Sequence, residues 1–224
     1  MTEILEQDLL SKVQNFFQTY QKKIVMGLGA VVVIVGGYYA YQSFIVKPKE
    51  NKAQEAMFVA EDYFGKDSCK LALDGDGKNK GLLYVISNYG GTKAANIATY
   101  EAGICYLHLG EFQKAIDKLK DFSTPSQAIQ MLAYGAMADA YSELKKNDDA
   151  INYYKKAAAT YAIDELSSGE YLWRAGQLCE TINKSKEALD LYKEIKEKFP
   201  KYKQGEIDKF IYKLSIEKND FSVN

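Results

Sequence analysis

The chain has 224 residues, 47% of them hydrophobic, and its 29 Lys and Arg against 30 Asp and Glu leave a formal charge of −1. That length supports one sizeable core plus an appendage. The balanced charge argues against nucleic acid, which calls for a clustered excess of base.

The first predicted element, residues 1–23, is a helix. Ile4, Leu5, Leu9, Val13, Phe16 and Phe17 form a rough apolar stripe on it, suited to lie in a membrane interface in preference to docking a partner. Residues 24–46, IVMGLGAVVVIVGGYYAYQSFIV, carry no charge, and at ~1.5 Å per residue they can cross a ~30 Å hydrocarbon layer. Lys22, Lys23, Lys47 and Lys49 flank this stretch, and Tyr38, Tyr39 and Tyr41 sit toward its end, where amphipathic rings favour an interface. Pro48 is expected to end the helix. Glu3, Glu6 and Asp8 in the head, the length of the apolar run, and tyrosines in place of a cleavage site argue against a cleaved signal peptide. Lysines flank both ends alike, Lys12, Lys22 and Lys23 against Lys47, Lys49, Lys52 and Lys66, so charge does not set the orientation.

Residues 50–93 predict a degenerate hairpin: one helix over 50–64, another over 81–89, and the loop Leu73-Asp74-Gly75-Asp76-Gly77-Lys78 between them. The segment Asp74–Asn79 begins like a calcium loop, but Lys78 stands at its fifth position, Asn79 replaces the glycine, and Val85 stands where a bidentate Glu belongs. It is therefore a tight turn.

Helical hairpins then recur. Leu172, Ala175, Gly176, Cys179, Ala188, Tyr192 and Pro200 follow the spacing of the tetratricopeptide pattern, with Cys in place of its first aromatic. The same frame finds Ala102, Gly103, Tyr106, Ala115 and Leu119, and then Met137, Ala138, Tyr141, Ala150 and Tyr154. The expected units are about 96–129, 131–164 and 169–202, with starts 35 and 38 residues apart, and a capping helix over 201–218 covers the last apolar face. Gly103, Ala138 and Gly176 let the paired helices approach, and the tyrosines fill between layers. The turns agree: Gly110-Glu111, Lys146-Asn147-Asp148 and Asn183-Lys184-Ser185 supply helix stops, and Thr124-Pro125 reads as an N-cap followed by proline at the first helical position. The fold class is all-α: a single N-terminal transmembrane helix (24–46) and a repeat domain (50–218) forming a right-handed tetratricopeptide solenoid.

In such a repeat the first helix of each pair lines the groove. That places Ile97, Tyr100, Ile104, Leu107 and His108 from the first unit there, Leu132, Gly135, Asp139, Ser142 and Glu143 from the second, and Glu170, Trp173, Gln177, Glu180 and Thr181 from the third. Of these, Tyr100, Leu107, His108, Asp139, Glu143, Trp173, Gln177 and Glu180 form the candidate protein-binding set, suited to a peptide or helix with apolar anchors and basic residues. Some of the apolar members, Ile97 and Ile104 especially, could equally be covered by the preceding hairpin.

Chemistry has little to build on. One histidine, His108, and no P-loop, dinucleotide or GxSxG motif leave no catalytic constellation, cofactor or metal site to expect. Cys105 and Cys179, which fall within apolar helical patterns, read as small buried hydrophobes. A bridge such as Cys69–Cys179 stays open in an oxidising compartment.

An N-terminal membrane helix followed by LALDGDGKNKGLLYVISNYGGTKAANIATYEAGICYLHLGEFQKAIDKL resembles the YfgM-like tetratricopeptide proteins of Gram-negative bacteria, of the Bacteroidetes type. The likeness runs over about residues 7–214, and its most characteristic piece is Tyr89-Gly90-Gly91-Thr92-Lys93-Ala94. It implies a cytoplasmic segment 1–23, a single inner-membrane span and a periplasmic repeat domain. It also implies an accessory role at the Sec translocon, with translocon subunits, a PpiD-like chaperone or emerging secreted chains as partners. An adaptor for another envelope complex, or a cytoplasm-facing docking receptor, is the alternative.

Overall fold

The computed structural model describes residues 2–218, with side chains for all of these except 2–9, 17, 24, 217 and 218. Ile4, Leu5, Leu9 and Phe17 of the expected stripe, and Ile24 at the start of the expected span, lie outside the described side chains. The chain forms two compact units that divide between Asn51 and Lys52.

In the first unit, helix α1 runs unbroken from Thr2 to Tyr41. The expected division between 23 and 24 is therefore one of composition and not a helix end. A single π-helical turn, Gln42–Val46, follows, and α2 (Lys47–Gly65) begins directly after it. This corrects the expectation for Pro48, which does not stop the helix. Proline removes one N–H and pushes its ring at the carbonyl four residues back. The wider turn just before it, closed by the Lys47 N–H donating to the Gln42 carbonyl, takes up that misfit. Every described side chain from Val25 to Tyr41 is exposed.

The second unit contains the rest of α2, then α3 (Cys69–Asp74), α4 (Leu82–Asn88), α5 (Lys93–His108), α6 (Phe112–Asp121), α7 (Gln127–Glu143), α8 (Asn147–Thr160), α9 (Glu165–Thr181), α10 (Ser185–Lys198) and α11 (Ile207–Lys218). The short α3 is an element the sequence reading does not assign, and it overlaps the expected loop at Leu73 and Asp74. Cys69, Ala72 and Leu73 give it a buried face. Between α3 and α4 the acidic segment is a turn built on Asp76. One carboxylate oxygen accepts from the Lys78 and Asn79 N–H groups at 2.9 and 2.6 Å; the other accepts from Asn79 Nδ2 at 2.8 Å and the Tyr63 hydroxyl at 2.9 Å. These bonds, the Asn79 backbone foremost, hold the carboxyl well below the usual range. A group depressed in this way stabilises the fold above its unfolded value of ~3.9, and the contribution is lost as pH falls toward the folded value. Asp76→Ala is accordingly expected to lower the urea midpoint at pH 7, with the deficit shrinking toward pH 2.

The pairs α5/α6, α7/α8 and α9/α10 close through one repeated turn. Gly110, Lys145 and Asn183 occupy it with φ of 76°, 59° and 61°. The next N–H donates back to the helix, Glu111 to Tyr106, Lys146 to Tyr141 and Lys184 to Cys179, at 2.9, 2.9 and 2.8 Å. This is the left-handed helix stop, which satisfies a carbonyl otherwise left orphaned. At the helix starts, Thr92 and Asp164 accept from the N–H three residues on, each at 3.1 Å. Thr124 is not the cap of α7, as the Thr-Pro pair suggests. Ser126 stands there, and the Thr124 hydroxyl instead accepts from the Ser126 N–H at 3.2 Å.

Small residues set the packing distance. A Cβ on Gly103 would lie 2.6 Å from Leu119 Cγ, and one on Gly176 would lie 2.4 Å from Tyr192 Cε1, so each glycine touches the second helix of its own pair. Gly135 does the same between pairs, where the Tyr171 ring of α9 meets it. At the far end Ile207, Ile211 and Leu214 of α11 are buried, with Phe210 half-buried against the Trp173 and Tyr192 rings.

Candidate functional site

The candidate residues all lie on α5, α7 and α9, the first helices of the three pairs, but their surroundings differ. On α5, Tyr100 and Leu107 are half-buried and His108 is exposed. The Tyr100 ring rests 5.1 Å from that of Phe122, and Ile97 and Leu132, at the same place in successive units, are both 45% exposed. Ile104 is half-buried against the core.

On α7 and α9 the acids are occupied by the protein itself. Asp139 accepts from the Tyr154 hydroxyl at 2.5 Å and from Arg174 at 3.2 Å. Arg174 also donates through Nε to Glu170 at 2.8 Å, and Glu170 accepts the Tyr202 hydroxyl at 2.5 Å. Glu180 takes the Tyr192 hydroxyl at 2.7 Å and the Lys213 ammonium at 2.9 Å. Burial, and then the bonded carboxylates, push the phenols of Tyr154, Tyr192 and Tyr202 up, so all three remain donors. Burial works against ionising Glu170, but the Tyr202 and Arg174 hydrogen bonds outweigh it and hold the carboxyl down. Among the described residues Glu143 is exposed and has no partner, and Gln177 is exposed beside Glu180's helix face.

Trp173 is a core residue and not a surface anchor. It is 7% exposed, packed at 5.2 Å on Phe210 and 6.2 Å on Tyr192, with the Lys203 ammonium 4.3 Å from its ring. Gly135, too, is buried, beneath the Tyr171 ring. The groove expected to present three acids to a basic ligand thus has its Asp139 and Glu180 charges answered by Arg174 and Lys213. Of its apolar residues, Ile97 and Leu132 on the first two pairs stay open, and His108, Glu143 and Gln177 are the polar candidates left exposed.

Sequence reasoning misses Arg174, which joins α7 to α9. The available signal is that it is the only arginine in the chain, and a planar fork suits two carboxylates where a lysine does not. It also misses the aromatic stack on α7 and α8, in which Tyr153 lies 6.1 Å from Tyr134 and 5.3 Å from Tyr141, and the Lys156 ammonium sits 4.1 Å from the Tyr134 ring.

The tetratricopeptide repeat family matches residues 136–203, from within α7 to just past α10. No curated protein matches the chain. With antiparallel pairs stacked in order and no strand among the described residues, the fold is all-α with a tetratricopeptide solenoid. One described helix, within Val25–Gly65, is long and apolar enough to cross a membrane. Folds of this class are protein-interaction scaffolds, whose surfaces bind partner chains.

Proposed function

We propose that the chain is a membrane-anchored scaffold that binds protein partners through the first two helix pairs, with residues 24–46 as its single span. The exposure of Val31, Val32, Val33, Ile34 and Val35 carries the anchoring: each is between 48% and 74% exposed, a contiguous aliphatic surface that water does not tolerate and a bilayer does. Exposed Ile97 and Leu132, with half-buried Tyr100, Ile104 and Leu107, support a ligand held by apolar anchors, a helix or an extended segment. The finer reading rests on the YfgM-like resemblance: a single-pass protein of a Gram-negative inner membrane, its repeats periplasmic. There it serves the Sec translocon and meets a PpiD-like chaperone or emerging secreted chains.

A photo-crosslinking residue placed at Leu132 in the full-length chain tests this, after extraction in mild detergent. Translocon subunits, the chaperone or secretory precursors are expected in the crosslinks, and they should be lost when Ile97 and Leu107 are both replaced by Asp. Crosslinks confined to cytoplasmic proteins would reverse the orientation and remove the Sec assignment.

A further inference from the structure

The aromatic stack on α7 and α8 lies on the other side of α7 from the groove. Tyr134 stands two residues after exposed Leu132, a turn of roughly 200° around the helix, and Tyr141 follows two turns later on the face of Tyr134. Tyr153 of α8 joins them, 6.1 Å from Tyr134 and 5.3 Å from Tyr141. At 1.5 Å per residue along α7, the three rings form a strip about 10 Å long. Lysines border it. Lys156 Nζ lies 4.1 Å from the centre of the Tyr134 ring and 5.7 Å from that of Tyr153. Lys120, near the end of α6, and Lys146, in the turn before α8, lie 5.7 and 5.9 Å from the centre of Tyr141. All three lysines are exposed, and among the described residues no carboxylate forms an ion pair with them. Lys146 donates to the neutral Gln113 side chain at 3.2 Å, and Asp117, one turn before Lys120, accepts from the same amide group at 2.9 Å. Other lysines of these helices differ: Lys114 of α6 pairs with Glu111, and Lys155 of α8 lies 3.8 Å from Glu187. The half-buried Tyr134 and Tyr153 likewise have no hydrogen-bond partner for their hydroxyls among the described residues.

We propose that this strip is a second docking surface, one that takes an acidic segment of a partner protein. Carboxylates of the segment meet Lys120 and Lys146 at the Tyr141 end and Lys156 at the Tyr134 end, and the free hydroxyls of Tyr134 and Tyr153 donate to them. A side chain between those acids rests on the rings, where an aromatic or aliphatic group makes the better contact. A lysine held over a ring keeps its full charge for an anion, because the ring supplies no counter-charge. Nucleic acid is the poorer occupant: three cations in a chain of net charge −1 give no basic stripe for a phosphate backbone to follow. The strip and the apolar groove lie on different faces of α7, so the inference stands apart from the membrane and Sec readings.

The test uses the full-length chain in mild detergent and a dye-labelled peptide alternating glutamate with tyrosine, read by fluorescence anisotropy at low salt. The peptide is expected to bind, more weakly as sodium chloride is added, and the same peptide with glutamine for glutamate is expected not to. Lys120→Gln combined with Lys156→Gln should weaken binding about tenfold, whereas Lys120→Arg combined with Lys156→Arg should keep it. Lys114→Gln with Lys155→Gln, which removes paired lysines of the same helices, should leave it unchanged. So should the groove variant with Asp at Ile97 and Leu107, which separates failure of this strip from failure of the groove. Equal affinity for the glutamine peptide, or undiminished binding after Lys120→Gln and Lys156→Gln, would overturn the proposal. An oligothymidylate that binds more tightly than the acidic peptide, and is lost in the same variant, would also overturn it by assigning the strip to nucleic acid.

Discussion

Gly176→Leu is expected to cost the repeat domain about 3 kcal/mol or more, the upper part of the range for overpacking. A Cβ at this position already comes within 2.4 Å of the Tyr192 ring, and the ring has nowhere to go. Tyr192 is fully buried, bonded through its hydroxyl to Glu180, and packed against both Trp173 and Phe210. Against a typical total of ~5–15 kcal/mol, such a loss moves a urea midpoint far down or prevents folding. Gly65→Leu is the control, since a Cβ there meets nothing within 4 Å. Equal midpoints for Gly176→Leu and the parent would mean that α9 and α10 do not cross at this glycine.

Glu101→Gln should stabilise the protein at pH 8 and leave it nearly unchanged at pH 5. Glu101 is half-buried on α5, its Oε2 sealed from solvent without a hydrogen-bond partner. Burial, and then the Glu61 carboxylate of α2, push it up to about 7. The folded chain therefore holds this proton more tightly than the unfolded chain, whose carboxyl titrates near ~4.3. The sign follows: the contribution is complete below the unfolded value and is lost as pH rises through about 7. Unscreened, that gap is worth roughly 4 kcal/mol; for a site still partly open to water, about 1–2 kcal/mol is the expected difference. The amide cannot ionise, so the variant escapes the loss. Urea unfolding of both proteins at the two pH values measures it, and an effect of Glu101→Gln that is the same at pH 5 and pH 8 would contradict the assignment.

The elements readable from the residues are those whose geometry has a local cause. Gly103 and Gly176 mark helix crossings because only a missing Cβ permits the approach, and Gly110 and Asn183 mark hairpin ends because glycine, without a Cβ, and asparagine, with its short polar side chain, tolerate a left-handed backbone. Features decided by tertiary partners escape. Pro48 reads as a stop, yet a π turn absorbs it. Trp173 falls at a groove position by spacing, but α11 lies over it, and no local pattern says which side of α9 that helix covers. Asp139 and Glu180 stand out as groove acids, while the cations that answer them, Arg174 and Lys213, come from 35 and 33 residues away.

Alkaline extraction of membranes from cells making the full-length chain probes the proposed anchoring most directly. The chain should stay with the bilayer, and replacing Val33 and Ile34 by Arg should release it, folded, into the soluble fraction. Release of the unaltered chain would mean that the exposed valines from Val31 to Val35 are covered by protein and not by lipid.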